Sequence, residues 1–147
     1  MLQEKNLKNL TEKILNDLEF DSLPVAPECE LSLLITSDSE IQKLNKEYRD
    51  KDKATDVLSF SMIEGLESPI PQPVLGDIVI SLETAERQAQ EHDVNLYQEL
   101  LRLLIHGLLH LCGYDHEDVS EEEAKRMRDK EDELYEQYLE LGLELFK

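Results

Sequence analysis

His106-Gly107-Leu108-Leu109-His110-Leu111-Cys112-Gly113-Tyr114-Asp115-His116 holds three of the four histidines in the chain. From Leu96 to Leu111 nearly every position is apolar, so the run reads as a helix buried on most sides rather than an amphipathic surface helix. His106 and His110 are four residues apart, which on a helix sets both imidazoles on one face, a turn apart and close enough to share a metal ion. Gly113 suits the left-handed conformation that ends a helix and reverses the chain. That reversal would swing His116 beneath the first two rings.

Three nitrogen ligands leave a fourth position open, the pattern of a catalytic zinc site, whereas structural zinc sites are closed by four ligands and usually contain thiolates. The competing reading is three hydrogen-bonded core histidines, which is costly because each imidazole would need its own buried partner. Cys112 points away from the histidine face on a continuing helix and reads as a small apolar residue. The spacing of the three histidines and the glycine matches the metzincin protease signature, but position 107 is Gly where that signature carries the Glu that serves as general base. The departure argues against peptide hydrolysis and leaves the metal site intact.

The string from His106 to His116 also resembles the signature of the YbeY family, bacterial zinc-dependent endoribonucleases and rRNA maturation factors. Two further segments agree with it, Leu44-Asn45-Lys46-Glu47-Tyr48-Arg49-Asp50-Lys51-Asp52-Lys53-Ala54-Thr55-Asp56-Val57-Leu58-Ser59-Phe60 and Leu75-Gly76-Asp77-Ile78-Val79-Ile80-Ser81. Where the family usually has a proline after the Ser-Phe pair, this chain has Ser61-Met62. The resemblance implies one zinc ion on His106, His110 and His116, and a catalytic or substrate-binding arginine at Arg49. It implies cleavage of single-stranded RNA in rRNA maturation, at the 3′ end of 16S rRNA, and in ribosome quality control. The partners expected are rRNA, ribosomal subunits and ribosomal proteins, with no DNA and no membrane, for a cytoplasmic monomer.

Composition is consistent with these expectations. A chain of 147 residues suits a single domain, 1–147, burying about two thirds of its unfolded surface. No apolar stretch approaches the roughly 20 residues of a membrane span, and no basic segment leads into a signal-like apolar run at the N-terminus. Two cysteines, Cys29 and Cys112, are too few for a disulfide framework and suit a reducing compartment. A net charge of -19 argues against non-specific coating of nucleic acid. The charge is uneven: residues 117–147 carry twelve acids against five bases, while Lys43, Lys46, Arg49, Lys51 and Lys53 cluster. That cluster is either a positive rim for RNA or an ordinary solvated helix face, since Glu47, Asp50 and Asp52 interleave it.

In chain order, Leu7, Leu10, Ile14, Leu15 and Leu18 predict an amphipathic helix over 3–18. Pro24 and Pro27 break the chain before a strand over 28–36, which alternates and is solvated or near an edge on one face. Ser37 or Asp38 caps a helix to about Tyr48, and a strand follows over 56–62. Pro69, Pro71 and Pro73 mark 65–76 as a loop. Ile78 to Ile80 reads as a central strand, and Ser81 caps a helix to about His92, which is assigned no metal role. Asp118 or Ser120 caps a final helix over 121–141 with Met127, Leu134, Tyr138 and Leu141 inward. The order predicts an α+β domain, a small mixed sheet packed with helices and one buried central helix carrying the histidines. The resemblance implies four strands, the extra one falling within residues 65–76.

The leading expectation is metal-assisted RNA cleavage, zinc bringing the pKa of its water towards about 7 and Arg49 offsetting charge on the phosphate. Proton transfer then falls to the metal's own water, to Asp115 or Glu117, or to the substrate 2′-hydroxyl. Asp115 reads equally as an outer-shell partner of a ligand imidazole and as a plain turn residue. The rivals are a zinc metallopeptidase-like hydrolase and a non-catalytic ribosome-assembly factor with a fold-stabilising zinc.

Overall fold

The computed structural model describes residues 4–17, 25–61, 72–111 and 119–145. These form α1 (Glu4–Asp17), β1 (Val25–Thr36), α2 (Asp38–Arg49), β2 (Val57–Ser61), β3 (Gln72–Ser81), α3 (Leu82–Glu91), α4 (Leu96–Leu111) and α5 (Glu121–Leu145). The sheet has the order β1-β3-β2, with β3 parallel to β1 and antiparallel to β2. The architecture is α+β with a mixed sheet.

Alternation along β3 sorts the core into two layers. Ile78 and Ile80, both fully buried, face the cluster formed by α4 with α1, α3 and α5, while Val79 faces Ile41 of α2 and Leu58 of β2. The sheet is therefore covered by α2 on one face and the other helices on the opposite one. α4 is the centre of the larger cluster: Leu100, Leu103, Leu104, Ile105 and Leu108 are each at most 1% exposed. Each such side chain contributes about 1.5–3 kcal/mol on burial, so this helix supplies a large share of the apolar stabilisation of the core.

Caps define where the helices start. The Ser37 hydroxyl accepts from the Glu40 N–H, Ser81 from Thr84, and Ser120 from Glu123 at 3.2 Å. Asn95 and Gln98 cap α4 reciprocally, each side-chain oxygen accepting the other residue's backbone N–H at 3.0 and 2.9 Å. A second tie joins α2 to α3. Asp38 accepts from the Ser81 and Thr84 hydroxyls, each at 2.5 Å, and from Arg87 at 2.9 Å.

Two sequence expectations are corrected. β1 begins at Val25 and runs through Pro27, and β3 begins at Gln72 and runs through Pro73. Both prolines fall where the β1–β3 register shifts, between the Val25↔Gln72 and Glu30↔Val74 pairs, and beyond the end of the β2 ladder at Ser61↔Gly76. An irregular, half-open ladder tolerates a residue without an N–H. Among the described residues the sheet has three strands, and most of the stretch expected to hold a fourth lies outside them. Residues 72–75, expected to lie in a loop or an extra strand, extend β3 instead, and residues 62–71 lie outside the described residues. Among the described strands β1 pairs with β3 alone, and its Leu34 is 50% exposed.

Candidate metal centre

α4 reaches β3 through one row of positions. A β-carbon built on Gly107 would stand 3.2 Å from two carbons of Ile78, and one built on Gly76 would stand 2.9 Å from Leu111 Cδ2. Gly107 and Leu111 thus form the sheet-facing row of the last helical turns. His106 and His110 form the next row, turned by about 100° per residue towards α5. The apolar packing of α4 on the sheet sets the direction of both imidazoles.

The two rings meet through their Nε2 atoms, 3.2 Å apart, with centroids 4.7 Å apart and planes at 77°. Without metal, one hydrogen shared between the two nitrogens accounts for this contact. Two nitrogens bound at about 2.0–2.1 Å to one tetrahedral zinc ion stand about 3.3–3.4 Å apart, so the same rings suit zinc with little movement. Among the described residues no group of three His, Cys, Asp or Glu side chains is arranged to hold an ion. His116, together with Cys112, Gly113, Asp115 and Glu117, lies outside the described residues.

On the far side of the His106 ring, Nδ1 lies 3.0 Å from Glu131 Oε1 of α5. The sequence reading missed Glu131. Its signal was present, because 131 falls on the same helical stripe as the buried Met127, Leu134 and Tyr138, where a carboxylate needs a partner. That partner is 25 residues away, beyond the reach of any local pattern. Glu99 was missed as well. It is 1% exposed inside the apolar α4 and is held by Arg102, whose Nη2 bonds Oε1, and by His92 Nδ1, 3.3 Å from Oε2. His92 therefore serves a buried acid within α4, 7 residues from it.

Arg49 is the exposed last residue of α2. Asp50 closes the helix in the left-handed conformation, φ 56°, and its N–H bonds the Lys46 carbonyl at 3.1 Å. The Asn45 amide donates to the Lys53 carbonyl at 2.9 Å, so the basic segment is folded back on its own helix. Asp52 is engaged by Gln42 and Lys46 rather than by Arg49. The rings of Tyr48 and Phe60 touch, 5.4 Å between centroids. The Phe60 carbonyl would lie 2.3 Å from a β-carbon on Gly76, against which Leu111 packs. The C-terminal ends of α2 and α4 therefore approach the same end of the β2–β3 ladder from opposite faces. His106 and His110 are brought into contact; Arg49 is exposed at the C-terminal end of α2, and among the described residues no hydrogen bond or ion pair ties it to the two imidazoles.

No helix among the described residues is long and apolar enough to cross a membrane. A sequence profile described as Endoribonuclease YbeY matches residues 1–139. A protein named Endoribonuclease YbeY from Syntrophotalea carbinolica is 47% identical over 131 residues, 89% of this chain and 83% of that one. One of the same name from Geobacter metallireducens is 43% identical over 129 residues, 88% of this chain and 82% of that one. The solution structure of TM1509 from Thermotoga maritima superposes with a TM-score of 0.51 at 26% identity, covering 93% of this chain and 81% of that one. With a profile match across both the α2 segment and the paired histidines, and with relatives alike over most of their length, this chain belongs to the YbeY family of endoribonucleases.

Proposed function

We propose that this protein is a zinc-dependent endoribonuclease that cleaves single-stranded RNA, acting in rRNA maturation at the 3′ end of 16S rRNA and in ribosome quality control. The observation that carries the metal is the pair of Nε2 atoms 3.2 Å apart on one row of a largely buried helix. The RNA substrate rests on the names of the relatives. In this reading the protein works as a cytoplasmic monomer on ribosomal subunits.

His106, His110 and His116 would hold the ion, leaving one position for solvent or substrate. A zinc ion, when bound, supplies positive charge that polarises a phosphate oxygen and acidifies water near neutral pH. Arg49, with five N–H donors in a planar fork, grips the phosphate and offsets the charge that gathers on it during cleavage. Either water or the substrate's 2′-hydroxyl attacks phosphorus and gives its proton to a carboxylate such as Asp115 or Glu117, while the P–O bond to the leaving nucleoside oxygen breaks and that oxygen takes up a proton from solvent.

The test is metal analysis of the purified protein together with cleavage of end-labelled single-stranded and duplex RNA, with and without a chelator. The expected result is one zinc per chain and chelator-sensitive cleavage of the single strand. His110→Ala should lose zinc and cleavage together; full cleavage by a metal-free variant refutes the reading. Zinc-loaded protein that binds ribosomal subunits but cuts no RNA points instead to an assembly factor.

A further inference from the structure

His106 is gripped at both ring nitrogens. Nε2 meets His110, and Nδ1 lies 3.0 Å from Glu131 Oε1, a bond between α4 and α5 spanning 25 residues of sequence. A carboxylate offers only acceptors, so the hydrogen of the neutral imidazole is on Nδ1 and the lone pair is on Nε2, directed at His110. An imidazole can present a lone pair to a metal through only one nitrogen at a time. The bond to Glu131 selects that nitrogen and sets the plane of the ring.

The position of Glu131 supports this role over a surface one. α5 carries many acids that project into solvent, among them Glu121, Glu122, Asp129, Asp132 and Glu136. Glu131 instead lies on the stripe of Met127, Leu134 and Tyr138, with its side chain 18% exposed. A carboxylate on that stripe is disfavoured by burial unless it is partnered, and His106 Nδ1 is the partner it meets at 3.0 Å. It could not ligate an ion bound by the two Nε2 atoms, because it faces the opposite edge of the His106 ring.

We propose that Glu131 is a positioning residue which, by accepting the Nδ1 hydrogen of His106, holds the Nε2 lone pair of that ring towards the zinc ion shared with His110. This rests on the zinc reading above. The carboxylate raises the basicity of the ligand and removes its rotational freedom, so its effect is on metal affinity before any effect on cleavage.

The experiment measures zinc affinity by competition with a fluorescent chelator, and the visible spectrum of the cobalt-substituted protein, for wild type, Glu131→Gln, Glu131→Ala and Asp132→Asn. Glu131 borders an open cleft of about 390 Å³ with Arg102 and Arg128, so its truncation leaves no sealed void. The expected loss is about 10-fold for E131Q, whose amide oxygen still accepts a hydrogen bond, and about 100-fold for E131A, with a shifted cobalt spectrum in both. D132N, which removes an equal charge one residue away on the exposed side, should bind zinc as wild type does. A merely structural bridge would lower thermal stability without this ranking of affinities. Wild-type affinity in a folded E131A overturns the assignment; should E131A fail to fold, wild-type affinity and spectrum in E131Q overturn it. If wild type itself takes up neither zinc nor cobalt, the zinc reading falls and this assignment falls with it.

Discussion

Gly107 is packed against Ile78 so closely that a β-carbon at 107 would lie 3.2 Å from both Cδ1 and Cγ2 of that side chain. The position that holds the general base in the protease signature therefore faces the sheet, away from solvent. Ile78 is fully buried and has little room to give. Gly107→Ala gains about 1 kcal/mol in helix propensity and loses about 1–3 kcal/mol to overpacking, so a net loss of about 1 kcal/mol is expected in urea denaturation. Ile78→Val in the same chain should recover part of it by removing Cδ1. Gly107→Glu buries an unpaired charge and should not yield folded protein.

Gly76 is subject to a harsher constraint. Its φ is +155°, and a β-carbon would lie 2.3 Å from a backbone oxygen, that of Phe60, which cannot rotate aside. Gly76→Ala should cost about 3–5 kcal/mol through strain and displacement of the β2–β3 ladder, read as a lower denaturation midpoint. An unchanged midpoint would mean that the two strands part there at little cost.

Asp38 links the starts of α2 and α3 and predicts an acid-sensitive contribution to stability. Hydrogen bonds from Ser81 and Thr84, reinforced by Arg87, hold its carboxyl below the ordinary value of 3.8. A depressed carboxylate stabilises the fold above its unfolded value, and that contribution is lost as pH falls from about 3.8 through the lower folded value. Asp38→Ala should lower stability by about 2 kcal/mol at pH 7. The gap between the two proteins should close in strong acid, as thermal melts from pH 7 to pH 2 would show.

Arg102 neutralises the buried Glu99 from within the same helix. Arg102→Ala leaves that carboxylate with His92 alone and should cost about 3–5 kcal/mol. Replacing both Glu99 and Arg102 with Leu should cost much less, since the expense lies in the uncompensated charge. A double variant as unstable as the single one would assign the loss to packing of the Arg102 stem.

Arg49→Ala removes an exposed side chain and should leave stability within about 0.5 kcal/mol and zinc content unchanged. RNA cleavage should fall by about 100-fold or more. Kinetics equal to wild type would place Arg49 outside the reaction.

Residue order alone accounted for the elements whose determinants are local. The capping serines 37, 81 and 120 mark where their helices begin, and the apolar run 96–111 is the buried helix expected of it. The four-residue step from His106 to His110 set two imidazoles on one row because an α-helix has a fixed period. The prolines misled at β1 and β3, since a missing N–H forbids pairing only where a regular partner strand waits for it.

What the chain could not disclose in one dimension were the relationships made by packing. Nothing near position 106 announces Glu131, and nothing near 107 announces Ile78; each pair exists because α4 is pressed between β3 and α5 by apolar burial. Local spacing determines which side chains share a helix face, since backbone geometry is the same everywhere. Which distant group that face meets is decided only by the collapse of the whole core, because that choice depends on contacts summed over residues far apart in sequence.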